Sequence, residues 1–160
     1  MTSSFRGLYL KTGAGIPCKF QTPGVPESDV NATAKPLPIH PPRRIAVVDD
    51  SPAVRQSLRL LLGARGFAVD TFTSADELLV DVKPDDFDCY VIDLKLDGMD
   101  GFALLDALRK KNITAPAVMI SGWELPTLEV TAHRAGFAAL VRKPMMDTSL
   151  VRVLHDLLPE

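Results

Sequence analysis

The 160 residues suffice for one domain with a sizeable core and hardly for two. Hydrophobic residues at 46% beside charged residues at 24% make an ordinary globular composition, and no apolar run approaches the roughly 18 residues of a membrane span, so a cytoplasmic protein with no membrane role is expected. The net charge of −2 divides into +4 over residues 1–44 and −6 beyond them, which argues against direct nucleic-acid binding, and two cysteines (Cys18, Cys89) make neither a disulfide framework nor a metal spacing.

Residues 1–43 are read as a disordered, Pro-rich leader. Seven of the thirteen prolines fall there, with several glycines and no apolar period, so the segment cannot bury enough to offset its ordering entropy. A tether, a docking peptide and an over-long start remain open for it. Residues 44–160 read as the folded domain. Ile45-Ala46-Val47-Val48 is an unbroken apolar run, as in a strand covered on both faces, and it stops at Asp49-Asp50. Ser51-Pro52 opens a helix, serine as cap and proline at the first helical position. Val54, Leu58, Leu61 and Leu62 form its apolar stripe, and Gly66 stands at its stop. Phe67 to Phe72 is a second strand. Ser74 and Glu77 have the spacing of a capping box for a short helix through Val80, closed by Pro84.

Cys89-Tyr90-Val91-Ile92 ends abruptly at Asp93, and a loop punctuated by Gly98 and Gly101 leads into a helix carrying Phe102, Leu104, Leu105 and Leu108. Asn112 and Pro116 mark its end. A fourth run, Ala117 to Ile120, stops at Ser121-Gly122. The helix expected from about Pro126 to Ala135 has a thin apolar face (Leu128, Ala132, Ala135), which places it among elements of low local stability. Phe137 to Val141 is a fifth strand reaching Lys143-Pro144. Asp147 is placed to cap a last helix striped by Leu150, Val151, Leu154, Leu157 and Leu158. Five strands alternating with five helices predict an α/β fold with a doubly wound, five-stranded parallel sheet.

Four strand ends thus deliver Asp49, Asp50, Asp93, Ser121 and Lys143 to one rim, where open α/β sheets hold ligands. Singly, Asp50 is also a candidate helix cap, Ser121 a loop residue and Lys143 a solvated lysine; their coincidence is the informative part. Three carboxylates about 4 Å apart repel by roughly 4 kcal/mol per pair at an effective dielectric near 20, so a cation is needed or the site protonates. Hard oxygen ligands, with no His or Cys in these loops, suit Mg2+ better than Zn2+. Asp93 is then the candidate nucleophile for a phosphoryl group, with the Lys143 ammonium and the Ser121 hydroxyl neutralising its oxygens.

The motifs Val47-Val48-Asp49-Asp50, Val91-Ile92-Asp93, Gly98-Met99-Asp100-Gly101, Ile120-Ser121-Gly122 and Lys143-Pro144 resemble the receiver domain of two-component response regulators, over about Arg44 to Leu158. The wording around Ser121-Gly122 is similar to receivers of the nitrogen-fixation and nodulation regulators. The resemblance implies a flavodoxin-like sheet in the order 2-1-3-4-5. It also implies Asp93 as acceptor of phosphate from a histidine kinase or histidine phosphotransfer protein, acting as a signalling phosphoprotein and not an enzyme on a separate substrate. Asp50 would bind Mg2+ directly, Asp49 through water, and the Lys95 backbone carbonyl would complete the protein ligands. Ser121 and Lys143 would contact the phosphoryl group, and Lys143-Pro144 would be cis. Signalling would run through protein contacts on the helix 4, strand 5 and helix 5 face, near Arg142 and Arg152, by a monomer or phosphorylation-dependent dimer without a DNA-binding output domain.

Three positions depart from the family pattern. Leu140 stands where an aromatic usually reports the switch, Asp97 replaces a loop proline, and Trp123 occupies a position like the family's rate-tuning site, where shielding the phosphate and packing on the loop are both open. Leu140 keeps a second reading in play, a phosphorylation-independent interaction module on the same fold. A phosphatase of the haloacid dehalogenase type fits poorly, because Ser51-Pro52 follows the first acids where that class needs another acid. His40, His133 and His155 have no partner at metal spacing.

Overall fold

The apolar runs at Arg44–Val48 (β1), Ala68–Phe72 (β2), Cys89–Asp93 (β3), Ala117–Ser121 (β4) and Ala139–Arg142 (β5) pair in parallel, in the order β2-β1-β3-β4-β5. This computed structural model describes residues 41–124, 126–145 and 148–159. The expected leader through residue 40, the proposed Asp147 cap and Met146 lie outside the described residues. Between the strands come helices α1 (Pro52–Gly63), α2 (Ala75–Asp81), α3 (Gly101–Lys110) and α4 (Leu128–Ala135), with α5 (Ser149–Leu157) last. The predicted doubly wound α/β sheet and its order are therefore observed. Among the described residues no helix is long and apolar enough to cross a membrane.

The central strands lack a polar alternation because both of their faces are covered. Ala46, Val48, Tyr90, Ile92, Ala117 and Met119 point into one core against α2, α3 and α4. Their neighbours Ile45, Val47, Cys89, Val91, Val118 and Ile120 point into the other, against Leu58 and Leu62 of α1 and Leu150, Val151 and Leu154 of α5. All twelve strand residues are fully buried, and burying side chains of the Val, Leu and Ile type stabilises by about 1.5–3 kcal/mol each.

Local chemistry moves several element ends from their predicted places. Helix α1 stops at Gly63, capped at Ala64, three residues before the glycine expected to end it; Gly66 (φ +88°) instead makes the turn into β2. Phe67 packs on the α1 core but precedes the strand. Ser74 caps α2 by accepting from the Glu77 N–H (3.2 Å). The reciprocal half of the capping box is displaced by one residue: the Glu77 carboxylate takes the Thr73 N–H and hydroxyl in place of the Ser74 N–H. Asp100 caps α3 through the Ala103 N–H (2.8 Å), and α4 has only Leu128 and Ala132 buried, Ala135 being exposed.

Candidate functional site

The strand register fixes which side chains can meet. Val48 lies beside Ile92, Asp93 beside Ile120, and Ser121 beside Arg142. Asp49 and Asp93 therefore leave the sheet at the same height, Ser121 one residue beyond and Lys143 two beyond. A lysine stem covers that extra distance: Lys143 Nζ reaches back to Asp49 Oδ2 at 2.6 Å and Asp93 Oδ2 at 3.1 Å. Asp49 is fully buried and Asp93 6% exposed. Burial pushes the Asp93 pKa up, opposed by the Lys143 charge and hydrogen bond, with the Asp49 charge raising it further and the Lys95 N–H lowering it. For Lys143, burial favours the neutral amine, but the Asp49 hydrogen bond and both carboxylate charges outweigh it and leave the pKa raised.

Every polar group of Asp49 is occupied. Its N–H donates to Phe72 O (3.2 Å), its carbonyl accepts from Arg55 Nη1 (2.6 Å), Oδ1 accepts from the Ser51 N–H (2.8 Å), and Oδ2 is held by Lys143. Asp50 is the opposite case. It is exposed, caps nothing, and among the described residues no group bonds or pairs with its carboxylate. Ser51 is the N-cap of α1 by backbone conformation, yet its hydroxyl makes no cap bond; its N–H serves Asp49.

Asp49, Asp50 and Asp93 each offer a carboxylate oxygen, and these oxygens lie within 4.8 Å of one another. Among the described residues this is the one acidic or His/Cys group of such size, so the three acids could hold a metal ion. The donor set fits a hard, oxygen-preferring cation: all ligand atoms are carboxylate oxygens, and the partnerless Asp50 keeps its lone pairs.

Ser121 is 2% exposed, and its Oγ accepts from the Trp123 N–H at 3.0 Å, which leaves its own proton to donate. Trp123 is 57% exposed. The Lys143-Pro144 bond is cis. Gly101 brings α3 against the end of β3: a Cβ there would lie 2.6 Å from the Asp93 carbonyl oxygen, and the Gly101 N–H bonds Leu94 O (3.0 Å). Leu140 is half-buried against the α2–α4 core, and Arg142, exposed as expected, pairs with Glu124 at 3.6 Å.

The structure thus brings together Asp49, Asp50, Asp93 and Lys143, sets Ser121 on the adjoining strand end, and adds two participants that the sequence reading did not include. One is the Lys95 N–H on the Asp93 carboxylate, a contact of the same residue whose carbonyl was singled out. The other is Arg55, which has no motif to announce it.

Comparison with known proteins agrees with this fold. The sequence profile of the response regulator receiver domain matches residues 45–155. The C4-dicarboxylate transport transcriptional regulatory protein DctR of Rhodobacter capsulatus is 32% identical over 111 residues, 68% of this chain and 56% of its own length. The transcriptional regulatory protein FixJ of Azorhizobium caulinodans is 34% identical over 119 residues, 74% of this chain and 54% of its own. The chain spans about half the length of these curated relatives. Among solved structures, a CheY-like receiver domain protein from Methanospirillum hungatei superposes with a TM-score of 0.64 at 27% identity, over 72% of this chain and 92% of that one. The chemotaxis protein CheY4 of Vibrio cholerae, at 24% identity and TM-score 0.68 over 73% and 99%, shares the fold.

Proposed function

The chain belongs to the response regulator receiver domain family, and from that premise we propose that Asp93 accepts a phosphoryl group from a histidine kinase or histidine phosphotransfer protein. The observation that carries this reading is the pairing of two buried carboxylates, Asp49 and Asp93, with a single Lys143 ammonium beside a partnerless Asp50. Residues 44–160 are the receiver on this reading, and residues 1–43 a leader.

Asp93 is the nucleophile. One carboxylate oxygen bonds to phosphorus as the donor's phosphorus–nitrogen bond breaks, and the electron pair leaves on the imidazole nitrogen. The raised Asp93 pKa makes its oxygen more basic than a solvated carboxylate, while the Lys143 and Lys95 contacts orient it. Asp50 directly, Asp49 through water and the Lys95 carbonyl would hold Mg2+, which when bound neutralises charge on the phosphoryl oxygens. Lys143 moves from the two acids toward those oxygens, and Ser121 donates its free hydroxyl proton to one of them. The Ser121 shift pulls on the β4–α4 connection, and α4, anchored by only two buried side chains, is the element whose equilibrium that shift biases. Its α4–β5–α5 face, with exposed Arg142 and Arg152, is where a downstream protein or a second phosphorylated copy docks. The protein acts as a phosphoacceptor and not as an enzyme on a separate substrate.

Incubation with acetyl phosphate and Mg2+, read by intact mass, tests this. Wild type is expected to gain one phosphate and Asp93→Ala none. No gain in wild type removes the reading and favours the phosphorylation-independent interaction module, for which Leu140 in place of a swinging aromatic is the supporting observation.

A further inference from the structure

Arg55 stands one turn into α1, half-buried, and its Nη1 donates to the Asp49 carbonyl at 2.6 Å. That carbonyl belongs to the peptide joining Asp49 to Asp50. A peptide unit is planar, so holding its oxygen also fixes the Asp50 nitrogen and Cα. The Asp49 side needs no such help, because its N–H, Oδ1 and Oδ2 are already bound to Phe72, Ser51 and Lys143. Asp50 has none of its own: its carboxylate is exposed and without a partner among the described residues.

The Glu77 carboxylate, held by the Thr73 N–H and hydroxyl at the start of α2, lies within electrostatic reach of Arg55.

We propose that Arg55 is a positioning residue for the cation: by gripping the Asp49 carbonyl it aims the otherwise unsupported Asp50 carboxylate at the site shared with Asp49 and Asp93. This rests on the metal-binding part of the function proposed above.

The sign of the effect separates positioning from charge. A guanidinium near a divalent site repels the ion, so if charge alone mattered its removal would tighten binding. Positioning demands the reverse, and loss of an outer-shell support typically weakens metal affinity by about 10–100-fold. The experiment is calorimetric titration of Mg2+ into wild type and Arg55→Met, alongside fluorescence of Trp123, the sole tryptophan, two residues from Ser121. Expected is a Kd at least about tenfold weaker in Arg55→Met at a similar Tm, with the acetyl phosphate reaction returning to the wild-type rate once Mg2+ saturates. A Kd equal to wild type, or tighter, overturns the proposal. Should Arg55→Met not fold, Arg55→Lys decides: it keeps the charge and gives up the planar fork, so weaker binding supports positioning and wild-type binding overturns it. Failure of the underlying reading looks different, since wild type itself then binds no Mg2+ and both ideas fall together.

Discussion

Clusters of opposite charge lie at both ends of the sheet, and they are built on different terms. At the amino-terminal end Arg43 pairs with Asp88 (3.0 Å) and Arg44 with Asp70 (2.7 Å), the four side chains being 32–51% exposed. Arg44 also lies over the Phe87 ring at 4.8 Å, and Arg43 donates to the Pro159 carbonyl. These contacts fasten the chain at the entry to β1, and water can replace any of them. At the carboxyl end Lys143, 21% exposed, serves Asp49 and Asp93, whose side chains are 0% and 9% exposed, and water cannot take its place. The same ion-pair chemistry is a fastening at one end and, at the other, a single ammonium set against three acids.

The comparison breaks most readily at Lys143. Replacing it by Met leaves two buried carboxylates without a counter-charge and is expected to cost about 3 kcal/mol in urea unfolding without Mg2+. Adding Mg2+ should stabilise Lys143→Met more than wild type, because the ion then neutralises acids that nothing else does. Arg44→Met at the other end should cost no more than about 1 kcal/mol and be indifferent to Mg2+. Equal losses at the two ends would mean that burial does not distinguish them.

A second test concerns backbone and not charge. Gly101→Ala places a methyl 2.6 Å from the Asp93 carbonyl oxygen, with Ile92 Cγ2 and Leu94 Cα at 3.2 Å, so β3 or α3 must shift. About 1–3 kcal/mol of destabilisation is expected, together with slower phosphate uptake on Asp93, since the displaced backbone carries the proposed acceptor. Gly63→Ala in α1, where the added methyl meets nothing within 4 Å, is the control and should leave both unchanged or slightly improved. Wild-type uptake by Gly101→Ala would show that the acceptor tolerates movement of its own strand.

The difference between the ends also explains what the sequence could reveal. Apolar runs halting at Asp49, Asp93 and Ser121 make both strand and site legible, because a central parallel strand tolerates a polar residue only where it leaves the core. Lys143 was legible as a strand-end cation, but its bridging of Asp49 and Asp93 depends on a register in which it sits two residues beyond them. Asp100 reads as part of a Gly-rich turn until the fold shows it capping α3. Ala135 keeps helical spacing yet is exposed, since α4 meets the core along Leu128 and Ala132 only. Arg55 looks like any helix-surface arginine, and its hydrogen bond to a carbonyl six residues earlier leaves no pattern of residue types.

The smallest effect has the opposite sign and lies in the amino-terminal half of the core. Tyr90 is fully buried in β3, its ring edge-on to Phe87 at 5.6 Å, and its hydroxyl is without a partner among the described residues. A buried hydroxyl with no hydrogen bond is a cost, so Tyr90→Phe should stabilise by about 1 kcal/mol at neutral pH. The pH dependence checks the same environment. Burial pushes Tyr90 from 10.0 to about 12 and Cys89 from 9.0 to about 12. With folded values above unfolded ones, the stability linked to these groups is complete below their unfolded pKa values. It is lost as pH rises toward the folded ones, so wild type should weaken across pH 9.0 to about 12. Tyr90→Phe lacks the tyrosine share and should weaken less steeply above pH 10.0. A variant less stable than wild type at neutral pH would place the hydroxyl in a hydrogen bond and make this end of the core as well satisfied as Asp49 is at the other, while one equally steep in alkali would show that burial does not raise the Tyr90 pKa.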